Sequence, residues 1–106
     1  RPWGYFEVLH QDENTWLKRL VVSPGHCLSL QVHKDRHEYW YPLDPVLVTI
    51  NSEEYEIEPF QIVAVNSGDK HRIRNAGQTC AHVIEWAIGS PTETDIVRIE
   101  DDYGRT

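Results

Sequence analysis

The residues best suited to chemistry begin in one short run. In Leu28-Ser29-Leu30-Gln31-Val32-His33, apolar and polar side chains alternate. Alternate residues of a strand share a face. Ser29, Gln31 and His33 therefore project from one surface, and Leu28, Leu30 and Val32 from the other. Gln31 and His33 then stand side by side, as two donors of a chelate must. Glu38 opens the next strand and can return to the same place. His71 heads a later strand, just after the turn Asn66-Ser67-Gly68-Asp69. Two imidazoles, one carboxylate and one amide oxygen form a mixed nitrogen and oxygen set suited to a divalent metal. Zinc is the first expectation, and the same donors suit iron, manganese, cobalt or nickel. An amide is a weaker donor than imidazole, so this site should hold its metal less tightly than one built on three histidines. Each residue alone has a plainer role, since a single strand histidine is ordinarily a hydrogen-bonded surface or core residue. The grouping is what points to a metal.

What must position these residues is a series of short β-type runs separated by turn residues. Strands are expected over residues 3–9, 16–22, 28–33, 39–41, 46–50, 55–57, 61–65, 71–74 and 80–88. Ser23-Pro24-Gly25, Pro42, Asn51-Ser52, Asn75-Ala76-Gly77 and Gly89-Ser90-Pro91 mark where several of them end. No window carries the period of an amphipathic helix. Residues 92–97 are expected to form one helical turn, capped by Thr92 or Thr94. Many short strands at close spacing imply an all-β sandwich or barrel. The 106 residues contain no linker, repeat or low-complexity stretch, and a single domain spanning 1–106 is expected.

Composition narrows the function classes. Ten Lys and Arg against 17 Asp and Glu leave a formal charge of −7, which argues against nucleic-acid binding and against a basic membrane-surface patch. No apolar run approaches the roughly 20 residues of a membrane span. The opening Arg1-Pro2-Trp3-Gly4 has no apolar leader and no initial Met, as expected of one domain cut from a larger chain or of a trimmed chain. Cys27 and Cys80 match neither a disulfide framework nor a zinc-finger spacing. Two reduced thiols in a cytoplasmic protein are the expectation, with one bridge as the alternative.

With these residues in hand, the chain resembles the cupin superfamily, and within it the C-terminal cupin domain of type II mannose-6-phosphate isomerases. Arg1-Pro2-Trp3-Gly4, Lys18-Arg19-Leu20 and Pro24-Gly25 resemble that domain's opening. Leu28-Ser29-Leu30-Gln31, His33, Arg36, Glu38 and Trp40 are similar to its first cupin motif, and Gly68, His71-Arg72 and Asn75 to its second. Ile84-Glu85, Asp95-Ile96-Val97-Arg98, Asp101 and Tyr103-Gly104-Arg105 resemble its close. The resemblance implies a double-stranded β-helix, a small jelly-roll barrel, with Gln31, His33, Glu38 and His71 as metal ligands inside it. It also implies a homodimer and, in many relatives, a preceding nucleotidyltransferase domain. Three departures bear on substrate fit: Tyr39 where the family usually has His, the Gly-free stretch Tyr41-Pro42-Leu43-Asp44-Pro45, and Asn66 where Pro is usual.

The activity so implied moves a proton between C1 and C2 of a sugar phosphate through an enediol. A general base must reach that proton. With the ligands occupied, Glu85, Lys18 and His37 remain, and His37 should face away because it neighbours Glu38. Glu85, in the long late strand, is taken as the base, although an exposed strand carboxylate is its plainer role. Arg36, Arg72, Arg98 and Arg105 match family positions and are the candidates for the phosphate, which guanidinium groups bind in a fork. Residues 93–102 read as a solvated acidic face that could hold Arg98 and Arg105 instead. Trp40 and Trp86 are expected in the core, and Trp3 and Trp16 between the sheets or at a subunit contact. The leading expectation is an isomerase of mannose 6-phosphate and fructose 6-phosphate. The alternatives are a non-catalytic module that binds a sugar phosphate or sugar nucleotide, and a divergent metal cupin with another substrate.

Overall fold

A computed structural model describes residues 1–104, and among them every regular element is a strand. In chain order these are β1 (Gly4–Gln11), β2 (Thr15–Val22), β3 (Leu30–Val32), β4 (Arg36–Pro42) and β5 (Val46–Ile50). They continue with β6 (Glu53–Ile57), β7 (Val63–Val65), β8 (His71–Arg74), β9 (Ala81–Gly89) and β10 (Val97–Glu100). One sheet runs β1-β2-β9-β4-β7 and the other β10-β3-β8-β5-β6, with all pairs antiparallel.

Strict alternation decides which side chains enter the space between the sheets. In β4, Arg36, Glu38, Trp40 and Pro42 are buried while His37, Tyr39 and Tyr41 are exposed. In β9, Ala81, Val83, Glu85 and Ala87 are buried. Leu20, Val22, Leu28, Trp40, Val48, Val65, Ile73 and Val83 form the apolar core, a continuous cluster joined by Trp3. The polar inward residues lie beside it, so one end of the interior is hydrophobic and the other carries charge.

Register lines up those charges. Lys18 of β2 opposes Glu85 of β9, which opposes Trp40 of β4. The adjacent inward row runs Trp16, Ala87, Glu38, Val65. In the other sheet, Arg98 opposes Gln31, and Gln31 opposes His71. Gly89 ends β9 at φ 128°, and a Cβ there would stand 2.5 Å from the Asp35 carbonyl. Only glycine permits that approach, which brings the start of β4 against the end of β9.

Several expectations need correction. Residues 92–97 form no helical turn: a plain turn at 93–94 leads into β10, which pairs with β3. The acidic composition of this stretch masked a strand whose outward Val97 and Ile99 lie among charges. The strand expected over 39–41 begins three residues earlier, at Arg36, because its polar inward residues face a polar interior. Trp86 is not core. It faces outward, 48% exposed, with its indole donating to Thr15 Oγ1 and its ring beside Tyr39. Trp3 and Trp16 are buried. Cys27 is buried, Cys80 is exposed, and the two are not bridged. Among the described residues no helix is long and apolar enough to cross a membrane.

Candidate metal centre

Three strands and two turns deliver the central residues. Glu38 comes from the middle of β4, His71 from the first position of β8, and His33 from the residue just past β3. All three are buried, and one donor atom from each lies within 4.8 Å of the others. His33 Nε2 is 3.6 Å from Glu38 Oε2, and His71 Nε2 is 3.7 Å from Glu38 Oε1. The imidazole centroids are 4.8 Å apart, and the Trp40 ring meets His71 edge-on at 5.4 Å.

The outer nitrogens of both rings are fixed. His33 Nδ1 donates to the Asp95 carbonyl at 2.5 Å, and His71 Nδ1 donates to the Asp69 carbonyl at 2.9 Å. A ring nitrogen facing a carbonyl oxygen must carry the proton, so each Nε2 presents a lone pair towards Glu38. Burial keeps both rings neutral. It lowers His71, and with the charge of Arg36 and the presence of His71 it takes His33 down to about 3.

Glu38 is 2% exposed, and neither of its carboxylate oxygens receives a directed hydrogen bond. Burial pushes its pKa up, and the neighbouring Arg36 opposes that rise. A buried carboxylate without hydrogen bonds is costly unless a cation meets it. Two imidazole lone pairs and a buried carboxylate, met on one side by Arg36, face one point and are a donor set that can hold a divalent cation. Gln31 lines the same cavity, with its amide nitrogen at 3.4 Å from both the carbonyl and the hydroxyl of Ser29.

Arg36 lies within this group. Its Nη2 donates to His33 Nε2 at 2.7 Å, and its Nε is 2.9 Å from Glu38 Oε2, close but poorly aligned for a hydrogen bond. Its Nη1 donates to the Thr92 carbonyl, and its guanidinium lies over the Trp16 ring.

Glu85 lines the cavity from β9. Burial first, and then the charge of Glu38, push its pKa up to about 8, against the opposing pull of Arg36 and Lys18. The cavity measures about 170 Å³. Arg72 and Arg98 reach its wall. Arg72 Nε donates to the Leu28 carbonyl, and its guanidinium pairs with Glu100 and Asp102. Arg98 Nε is buried without a hydrogen-bond partner. Arg105 lies outside the described residues. His37 stands on the outer wall, where its Nδ1 accepts from the Ser67 amide, and it does not reach the cavity.

The sequence marks Asp95 only as part of a stretch that resembles the family's close and gives it no role at the site. The Asp95 carbonyl orients His33, and its carboxylate accepts from the amides of Lys34 and Asp35. The acidic stretch around it looked like a solvated face. Its one distinguishing sign was that Ile96 and Arg98 alternate with Val97 and Ile99. Arg1, named only in the opening motif, and Glu93, named only as the start of the acidic stretch, both stand on the cavity wall.

The comparisons with known proteins agree with this architecture. Residues 1–101 match the family described as mannose-6-phosphate isomerase C-terminal. A xanthan biosynthesis protein of Xanthomonas campestris is 38% identical over the whole chain, which covers 23% of that protein. A mannose-1-phosphate guanylyltransferase of Klebsiella pneumoniae is 36% identical over 99% of the chain and 23% of its own length. The chain thus spans under a quarter of the length of these relatives. The cupin domain of Schizosaccharomyces pombe Cnp3 superposes with a TM-score of 0.76 at 16% identity, over 80% of this chain and 64% of that one. That likeness establishes the double-stranded β-helix. Taken with the match along nearly all its length, the chain belongs to the mannose-6-phosphate isomerase C-terminal family, as a cupin barrel.

Proposed function

We propose that this chain is a metal-dependent isomerase domain that interconverts mannose 6-phosphate and fructose 6-phosphate. The observation that carries the reading is the buried group His33, Glu38 and His71, in which one carboxylate stands between two oriented imidazoles. His33, Glu38 and His71, with Gln31 beside them, would hold the metal, zinc first among the candidates. Bound there, it would supply a Lewis acid for the sugar oxygens.

Glu85 would move the proton. Isomerisation removes a proton from C2 of the aldose and delivers one to C1 of the enediol, while a proton passes between O1 and O2. A carboxyl group with a pKa near 8 can both accept and return a proton close to neutral pH. The buried walls around it limit the access of water, which would otherwise exchange that proton. The phosphate requires cations, and Arg36, Arg72 and Arg98 reach the cavity wall, as do Arg1 and Lys18.

The same reading pairs the domain with a nucleotidyltransferase domain, which the name of the Klebsiella relative supports. It also takes the chain as a homodimer. Exposed Tyr39, Tyr41, Phe60, Ile62 and Trp86 support that, as an apolar area that a second copy would cover.

One observation favours a second reading. Arg36 already engages His33 Nε2 and approaches Glu38, as a fixed cation built into the chain would. A metal-free module that binds a sugar phosphate without turnover fits that contact. A coupled assay of mannose 6-phosphate conversion, with and without added Zn²⁺, Co²⁺ or Mn²⁺ and beside His71→Ala, separates the two. Metal-dependent turnover that disappears in the variant supports the isomerase. Folded protein that turns over nothing with any of these metals overturns it and leaves the binding module.

A further inference from the structure

Lys18 is an unusual cation for a barrel wall. Its side chain is 6% exposed, and its ammonium lies 3.6 Å from the centre of the Trp16 ring and 4.4 Å from that of Phe6. Along the sheet it opposes Glu85. Its ion-pair partner comes from elsewhere. Glu93, in the turn between β9 and β10, places Oε1 2.5 Å from Lys18 Nζ, and the Glu93 side chain is 60% exposed. The other oxygen of Glu93 is 3.7 Å from Arg1 Nη2, and Arg1 in turn lies over the Phe6 ring. Arg1, Phe6, Trp16, Lys18 and Glu93 all line the cavity that holds Glu38, Glu85 and His71.

The asymmetry of this pair is informative. A buried ammonium needs an anion, and leaving it alone is costly. The anion that meets it is a largely exposed side chain, which keeps most of its hydration and can withdraw at small cost. The aromatic rings hold the ammonium in place but carry no charge to neutralise it. A carboxylate on an exposed turn therefore occupies a cationic seat that opens into the cavity.

We propose that Lys18 and Arg1 form the seat for the ligand's phosphate monoester, and that Glu93 is a tethered anion which competes for that seat. Of the other cations on the cavity wall, Arg36 faces His33 and Glu38, Arg72 is tied to Leu28, Glu100 and Asp102, and Arg98 opposes Gln31 with its Nε buried and no hydrogen bond to it. Lys18 and Arg1 share one partner, and that partner is exchangeable. The inference rests on the sugar-phosphate reading of the cavity, but its test does not require turnover.

Calorimetric titration of the intact protein with inorganic phosphate is that test. Glu93→Gln removes the competitor and should tighten phosphate binding by about two- to fivefold, the range expected for loss of a partly exposed ion pair. Lys18→Gln should weaken binding, and Lys18→Arg should restore most of it if a fixed cation is what matters. In the Lys18→Gln background the gain from Glu93→Gln should vanish. Phosphate affinity unchanged or weakened in Glu93→Gln overturns the proposal, as does a gain that survives Lys18→Gln, or a protein that binds no phosphate at millimolar concentration. A gain confined to chains with Lys18, in a protein that fails the isomerase assay, keeps the seat and discards the isomerase. An active isomerase without that gain does the reverse.

Discussion

Arg36 Nη2 donates a hydrogen bond of 2.7 Å to His33 Nε2, the same nitrogen whose lone pair faces Glu38. A guanidinium remains charged at any pH the fold experiences. It therefore competes with any metal ion for that lone pair and repels the ion electrostatically. Arg36→Gln should raise Zn²⁺ affinity by about tenfold or more, on the scale of one charge-assisted hydrogen bond removed. Calorimetry of the two proteins measures the difference. Weaker binding in the variant would mean that Arg36 serves the site by orienting Glu38 rather than by opposing the metal.

Glu85 should separate chemistry from metal binding. It lines the cavity but is not one of the three grouped donors. Glu85→Gln keeps the shape and removes the proton carrier. Isomerase turnover should fall by about 10² to 10⁴-fold, the usual range for losing a general base. Metal stoichiometry, read by atomic emission, should stay at the wild-type value. Turnover within a few-fold of wild type would remove Glu85 from the mechanism.

The raised pKa of Glu85 also predicts how stability depends on pH. Its ordinary value is 4.5 and burial takes it to about 8. Between those values the folded protein holds a proton that the unfolded chain has released, so stability falls as pH rises through that window. His33 acts in the opposite sense. Its value drops from 6.5 to about 3, so its contribution is present above 6.5 and is lost as pH falls towards 3. From about pH 6.5 to 8 the raised carboxyls, Glu85 with Glu38 beside it, should set the trend. Urea midpoints of EDTA-treated protein should decline across that interval in wild type and stay flatter in Glu85→Gln. An equal decline in both would assign the titration to another group.

Asn75 offers a test away from the site. It is 2% exposed, and its Nδ2 donates to the carbonyls of Val22 and Thr79 while its Oδ1 accepts from the Gly77 amide. Asn75→Ala would strand two carbonyls and an amide in the interior. A loss of about 2 to 4 kcal/mol is expected, given the cost of each buried group left unpaired. Urea denaturation would show it. A loss below about 0.5 kcal/mol would mean that water replaces all three contacts.

Much of this arrangement was legible because strand alternation is a strict rule. Alternation reads Ser29 and Gln31 onto one face, and both line the cavity; Leu28, read onto the opposite face, is buried in the core and lines the cavity too, because the strand begins only at Leu30. The turn Asn66-Ser67-Gly68-Asp69 announced His71 at the head of β8. What escaped was everything set by pairing between distant segments. Nothing local shows that Asp95 will cap His33, or that Glu93 will reach Lys18 across 75 positions of sequence. Trp86 misled because a tryptophan in a strand suggests burial, yet its neighbour Glu85 takes the inward position. The polar inward residues of β4 obscured the start of that strand for a related reason: they face a polar interior rather than a hydrophobic one.

The central claim is that His33, Glu38 and His71 form a metal centre. Zn²⁺ titrated by calorimetry into EDTA-stripped protein tests it most directly. One ion per chain should bind, and binding should be lost or weakened by at least about 100-fold in His71→Ala and in Glu38→Gln, as expected when a ligand is removed. Wild-type protein that takes up no ion, or variants that bind as tightly as wild type, would contradict it.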